Sequence, residues 1–570
     1  MPPRLLRSTF RSLFLVALLG ACSANSASST RGSGGHAGTG GGTGGSGGGA
    51  IFGDSGVGDG GTTPSGGVPQ TCEASLEKQS YIGCEYWPTV TMNSQLSDTF
   101  EFAIVAANPT GSDAVVTVER SSAQIAQVTV AAGQLETIKL PWVTELKNAT
   151  GSVLVPRGAF HVTSSVPITL YQFNPLDFQQ AGCSSTDPTS NCFSYTNDAS
   201  LLLPTSAMRG EHYVVSRPTL HFGDTGLGGG SWTNLLGFVA VVGTQDGTTV
   251  QVATAAALEA GNGVPAATPG QTLTFHLDAG DVLQLATSHV PDQPLTAPGQ
   301  QCTVESSDPF GFSQTQYCPP PDTYDLTGSH ITADKPVAVV GGHDCDFIPF
   351  DKYACDHIEE TIFPVDTLGQ DFFVTAPESV AGITGGNPNA PDNQYIRVLS
   401  AAAGNQITFD PPVHAPITLD AGKWIEFGPV SKDFHVLGTD KLIVAQFMVG
   451  EDSHTPAVAA GDPAESIAIP TEQYRVEYTF LAPASYTYNY VNIVAPQGTT
   501  VTIDGAAIDA SEFSAIGSGG FVVARHAVPG GAHDIRGSHN FGIVVYGYGS
   551  YTSYMYPGGL NLETIVIGPH

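Results

Sequence analysis

Basic side chains are scarce in this chain: 20 Lys and Arg stand against 52 Asp and Glu, a formal charge of −32. A surface of that sign repels nucleic acid and anionic lipid, which argues against nucleic acid as a partner. Long apolar runs are also missing, since nothing after Leu19 could span a bilayer as a helix. Catalytic signatures are absent too. There is no Gly-x-Ser-x-Gly elbow, His-Glu-x-x-His helix, phosphate loop or dinucleotide fingerprint in the repeated part of the chain. Gly53-Asp54-Ser55-Gly56 copies the nucleophile sequence of trypsin-like proteases, but that chemistry needs a rigid turn and a packed barrel, which a glycine tract cannot supply. Acidic turns such as Asp504, Asp509 and Glu512 lack the ligand spacing of a known calcium loop.

What is present begins with an export signal. Arg4, Arg7 and Arg11 precede the apolar run Leu13 to Leu19, and Leu19-Gly20-Ala21 leads directly into Cys22. This is the pattern of a bacterial lipoprotein signal over residues 1–22, with Cys22 as the lipidated first residue of the mature chain. Ser23 after the cysteine points to an outer-membrane lipoprotein, surface-exposed or facing the periplasm. From Gly32 to Gly49, twelve of eighteen residues are glycine, so residues 23–71 read as a disordered Gly/Ser-rich tether. Roughly 50 residues of such coil have an end-to-end distance of about 40 Å.

The remainder repeats itself. Closing runs at Phe160–Phe173, His330–Gly341, Phe434–Phe447 and His533–Gly547 resemble one another. Turns at Thr110-Gly111, Asp246-Gly247, Ala403-Gly404 and Gln497-Gly498 precede alternating strands such as Val250-Gln251-Val252. We read an all-β chain of four tandem related antiparallel β-sandwich-like modules, at 72–198, 199–360 with insertions, 361–464 and 465–570.

Eight cysteines follow Cys22. They fall into close pairs, Cys72 with Cys84, Cys183 with Cys192, Cys302 with Cys318 and Cys345 with Cys355, which suits local disulfides in an exported chain. Sequence alone leaves the connectivity open. His343, Asp344, Asp356 and His357 flank the last pair and are candidate metal ligands, although their spacing matches no standard zinc module. No organic cofactor is implied; Ca²⁺ or a transition metal are the candidates.

Gly342-His343-Asp344-Cys345, with Cys355-Asp356-His357-Ile358-Glu359-Glu360, Pro364 and Phe372-Phe373-Val374, resembles the IgGFc-binding protein N-terminal domain family. So do Tyr81-Ile82-Gly83-Cys84-Glu85-Tyr86-Trp87 and the join Asn197-Asp198-Ala199-Ser200-Leu201-Leu202-Leu203-Pro204. The likeness runs from Cys72 to the end, and the lipoprotein signal makes this a bacterial member of myxobacterial type. It implies a repeated, disulfide-stapled β architecture of extracellular adhesive or mucus-like material, without carrying over Fc binding as an activity.

The function expected is therefore non-enzymatic: a cell-surface adhesion or binding protein for an extracellular glycan, matrix or protein ligand, touching the membrane only through its lipid. Tyr486-Thr487-Tyr488-Asn489-Tyr490, and the tyrosines from Tyr546 to Tyr556, are candidate sugar-stacking platforms. The alternatives are a polysaccharide hydrolase with paired carboxylates, or a structural component of envelope or matrix.

Overall fold

The computed structural model describes residues 67–182, 192–224, 230–292, 302–306, 314–319, 321–380, 391–454 and 460–567. The leader with Cys22, almost all of the tether, the Gly53–Gly56 sequence and Cys183 lie outside the described residues. Among the described residues no helix is long and apolar enough to cross a membrane.

One strand pattern occurs four times, always antiparallel. In the first copy a long strand, His161–Phe173, belongs to two sheets. Its N-terminal half pairs with Ala114–Arg120 and Gly83–Tyr86, and its C-terminal half with Phe102–Ala107 and Ala199–Leu202. In the second copy the two halves of His330–Asp346 likewise take different partners, within one continuous sheet, and in the fourth Gly531–Gly549 again belongs to two sheets. In the third, the corresponding strand is broken into Phe434–Gly438 and Leu442–Met448, one in each sheet. A strand that serves two packed sheets must bend between them, and its sequence changes character at the bend: the last seven residues of His161–Phe173 are all buried, while its first six are mixed.

Local chemistry accounts for the outer strands. In Thr248–Ala253 the valines at 250 and 252 are buried and Gln251 between them is exposed, the alternation of a half-buried strand. The turn before that strand has Gly247 at φ +67°, a conformation that a Cβ disfavours.

Each copy ends in a short closing strand: Ala199–Leu202, Asp356–Thr361, Glu465–Ile467 and Thr552–Pro557. All four are buried along their whole length, so they carry no alternation. Ala199–Leu202 pairs backward onto His161–Phe173, so the sheet runs across the join expected at 198/199. A further strand, Val153–Val155, leaves the first copy and adds to the edge of the second at Val282–Ala286. The chain ends meet as well: Tyr81 N–H donates to Leu560 C=O and Leu562 N–H to Gln79 C=O.

The second copy carries a four-stranded insertion, ordered Ser231–Leu235, Leu220–Asp224, Gln314–Cys318, Thr303–Ser306. It has its own small core of Leu220, Leu235, Tyr317, Cys345 and Phe347. Disulfides join Cys72 to Cys84, Cys302 to Cys318 and Cys345 to Cys355, and Cys192 is disulfide-bonded. Two of these bridges serve the insertion. A closed loop of this size contributes about 2–3 kcal/mol. The Cys345→Ser, Cys355→Ser variant is thus expected to raise native-state proteolysis within 302–355 by roughly 30- to 150-fold, with cleavage elsewhere unchanged; mapping the fragments by mass spectrometry checks it.

Candidate functional site

The closing strands converge, and Asp198, the residue before the first of them, sits where they meet. Its Oδ1 accepts the N–H groups of Ala199 (2.9 Å) and Met555 (3.2 Å), and its Oδ2 those of Glu359 (3.1 Å) and Glu465 (3.0 Å). One donor comes from each closing strand. Burial pushes this carboxyl well above the usual carboxylate range, and the four N–H bonds oppose that shift without cancelling it. A carboxylate offers about four lone-pair sites, and here each faces a donor, so the ionised form is the one this surrounding fits.

Further carboxyl groups surround it. Asp356 accepts the N–H groups of Asn197 (3.1 Å) and Ser553 (3.2 Å), and Asp462 that of Glu451 (2.9 Å). Glu360 accepts from Leu201 and Thr361 through one oxygen, and among the described residues neither oxygen of Glu465 has a hydrogen-bond partner. Burial raises all of these: Asp356, Asp462 and Glu360 well above the usual range, Glu465 to about 8 and Glu451 to about 7.

A carboxyl whose folded pKa exceeds its unfolded value binds more protons when folded, so its contribution to stability is lost as pH rises through the folded pKa. His454, raised chiefly by its hydrogen bond to Asp392 against the opposing effect of burial, acts in the same direction. His212, lowered by burial to about 4, and His343, also lowered by burial, lose stability only as pH falls below about 6.5. Between pH 6.5 and 9 the carboxyls and His454 therefore dominate. The melting temperature is expected to fall by several degrees across that window, and a rise or a flat profile in buffered thermal melts would contradict the assignment.

The four candidate metal ligands are not brought together. His343 Nδ1 accepts the Cys345 N–H (3.1 Å), and Asp344 holds the N–H and Oγ of Ser94 at 2.6 and 2.7 Å. Asp356 belongs to the centre just described, and His357 Nε2 lies within 3.4 Å of Thr91, Asn174 and Glu359. For Asp356 and His357 the reason is strand geometry, because consecutive residues of a strand point to opposite faces, whereas His343 and Asp344 stand where the strand pairing shifts register and are held by different partners. Among the described residues no group of three or more His, Cys, Asp and Glu is placed to hold a metal.

Most tyrosines of the two runs are not platforms either; the exceptions are Tyr488 and Tyr490, which are part-exposed, and Tyr551, which is 43% exposed. Tyr486, Tyr546, Tyr548, Tyr554 and Tyr556 are buried. Tyr486 meets Tyr554 edge-on at 4.7 Å, and Tyr171 of the first copy packs on Tyr556 of the fourth at 4.9 Å. Their hydroxyls are used internally, as in Tyr546 to Asn492 and Tyr548 to the Glu378 carbonyl, each 2.8 Å. These rings form core between copies.

An open cleft of about 320 Å³ lies between the first and fourth copies, lined by Tyr81, Ile82, Gln134, Glu477, Asp504, His533, Asp534 and Arg536 among others. Its carboxylates are engaged: Asp504 with His533 (2.8 Å), Asp534 with Arg536 (3.0 Å), and Glu477 with the Val68 N–H (3.1 Å) and Arg536 (3.3 Å).

Sequence reasoning did not single out Asp198. A signal was available: in three of the four copies an aspartate stands at or just before the closing strand, at Asp198, Asp356 and Asp462.

Comparison with known proteins gives one family model, described as IgGFc binding protein, which matches residues 198–547. The match begins at the central aspartate and ends inside the long strand of the fourth copy. No curated protein and no solved structure matches the chain.

Proposed function

The chain belongs to the IgGFc-binding protein family, whose model covers more than half of it, and on that premise we propose that it is an exported binding protein, held at the cell surface by a lipid on Cys22 and presenting its modules to an extracellular protein or glycan. The observation that carries this reading is the buried centre. Four backbone donors from four copies on one carboxylate fix the copies against one another, so their outer faces are offered as one rigid surface. Rigid presentation reduces the entropy lost on association, which is what a binding scaffold requires. Disulfides support export. The module limits at 72, 199, 361 and 465 belong to the same proposal.

The test immobilises the full chain carrying Cys22→Ser and exposes it to matrix extracts of the source cells, a glycan panel and IgG Fc. Saturable retention of a defined ligand supports binding. Retention of nothing, with or without added Ca²⁺, sinks the adhesive reading and favours a structural role. Metabolic labelling with a fatty-acid analogue should mark the natural chain and not the Cys22→Ser variant.

A further inference from the structure

We propose that the outer face of the four-stranded insertion is a carbohydrate-binding surface for a neutral polysaccharide, with Trp232 as its stacking platform; this rests on the binding reading above and names a ligand class for it. Paired residues of antiparallel strands share a face. Gly223 is opposite Trp232 on one side and Gln316 on the other, and Gln316 is opposite Val304. Trp232, Gly223, Gln316 and Val304 thus form one row across all four strands, about 14 Å long at roughly 4.8 Å per strand. The core of the insertion uses the opposite face, which carries Leu220, Phe222 and Tyr317.

The glycine is what lays the indole flat. A Cβ at Gly223 would meet the Ser231 carbonyl oxygen at 2.7 Å and the Trp232 ring at 2.8 Å, so any other residue would have to displace the neighbouring strand or the ring. His221 backs the same ring, with centroids 4.5 Å apart and planes 9° from parallel. Trp232 nevertheless remains part-exposed, and Val304 at the far end of the row is 49% exposed. A part-exposed indole held flat offers the C–H face of a sugar ring a fixed apolar partner, while the amide of Gln316 beside it both donates to and accepts from hydroxyls.

Charge selects the class of sugar. The row has no charged residue, on a chain whose formal charge is −32, so an uncharged polymer meets no repulsion there while a polyuronate or sulfated glycan meets the field of the whole chain.

The test uses the full chain carrying Cys22→Ser in affinity electrophoresis against hydroxyethyl cellulose, a mannan and polygalacturonate, with indole fluorescence as a second readout. Retardation by a neutral polymer and none by polygalacturonate is expected. Trp232→Ala should weaken retardation at least tenfold, Trp232→Phe less, and Gln316→Ala several-fold, with near-UV circular dichroism confirming that Gln316→Ala and Trp232→Phe are folded. Neutral-polymer binding unchanged in Trp232→Ala overturns the proposal, as does binding of polygalacturonate alone. No glycan binding together with saturable retention of a protein ligand removes this surface and leaves the general binding reading standing; retention of neither removes both.

Discussion

Asp198→Asn is expected to abolish cooperative folding of the four-copy body, although it changes one buried side chain by a single atom type. The amide keeps the shape of the carboxylate but replaces one acceptor oxygen by a donor, and that donor would face two backbone N–H groups, either those of Ala199 and Met555 or those of Glu359 and Glu465. Hydrogen bonds to a charged group contribute about 1.5–3 kcal/mol each, and a buried donor left without a partner costs about 1–3 kcal/mol. Losing two such bonds and orphaning two donors removes on the order of 5 kcal/mol, comparable with the whole stability of many domains. Asp198→Ala orphans all four donors and is expected to be at least as severe. The measurement is differential scanning calorimetry beside soluble yield from the export compartment. A single transition for Asp198→Asn within about 2 °C of the natural chain would mean that the centre does not hold the copies together.

The same residue shows how far the sequence could be read. Strand content, repeat number and turn positions follow from local chemistry, because the glycine turns and apolar alternation act within ten residues of one another. The all-β repeated fold and the family were legible for that reason. The convergence of the closing strands was not: Ala199–Leu202 looks like a linker running into a proline, and only its pairing to His161–Phe173 and the distant donors at 359, 465 and 555 reveal a centre. Contacts over more than a hundred residues of separation leave no periodic trace in one sequence. The tyrosine runs misled for a related reason, since an aromatic strand buried between copies and one facing solvent have the same composition, and the partners that bury Tyr554 and Tyr556, such as Phe173, lie far away in the chain. The metal candidates failed partly on a rule that sequence does contain, the opposite facing of consecutive strand residues, which applies to Asp356–His357 once they are known to be a strand; the register shift at His343–Asp344 is not legible in the sequence.

Arg397→Met is expected to separate the second and third copies while the contact between the first and fourth survives. Arg397 lies on Gln394–Ser400 of the third copy and is 2% exposed. Its guanidinium reaches Asp325 of the second copy (2.9 Å), donates to the Ser216 carbonyl and Thr327 Oγ1 (both 2.6 Å), holds Glu426 through Nη2 (2.8 Å), and stacks 4.1 Å over Trp424. Arg217 of the second copy completes the latch, bonding Asp346 (2.7 Å) and Glu426. Burial alone would raise the Glu426 carboxyl, and the two guanidinium groups overcome it and hold it below the usual range. Removing one partner from such a network leaves a buried charge uncompensated, at a cost of about 3–5 kcal/mol, whereas removing both partners of a pair is often close to neutral. Arg397→Met should therefore destabilise strongly, and adding Asp325→Leu should restore at least half of the loss, a coupling that a double-mutant cycle reads directly. Arg397→Lys keeps the charge but not the planar fork or the stack on Trp424, so it should fall between the natural chain and Arg397→Met. Hydrogen exchange locates the effect: protection should drop in Gln394–Ser400 and around Ser216 and Arg217, and persist in the C-terminal half of His161–Phe173, where Tyr171 is held by the Thr479 and Gly558 carbonyls. Loss of protection spread evenly over all four copies would instead mean that the carboxylate centre and the arginine latch fail as one unit.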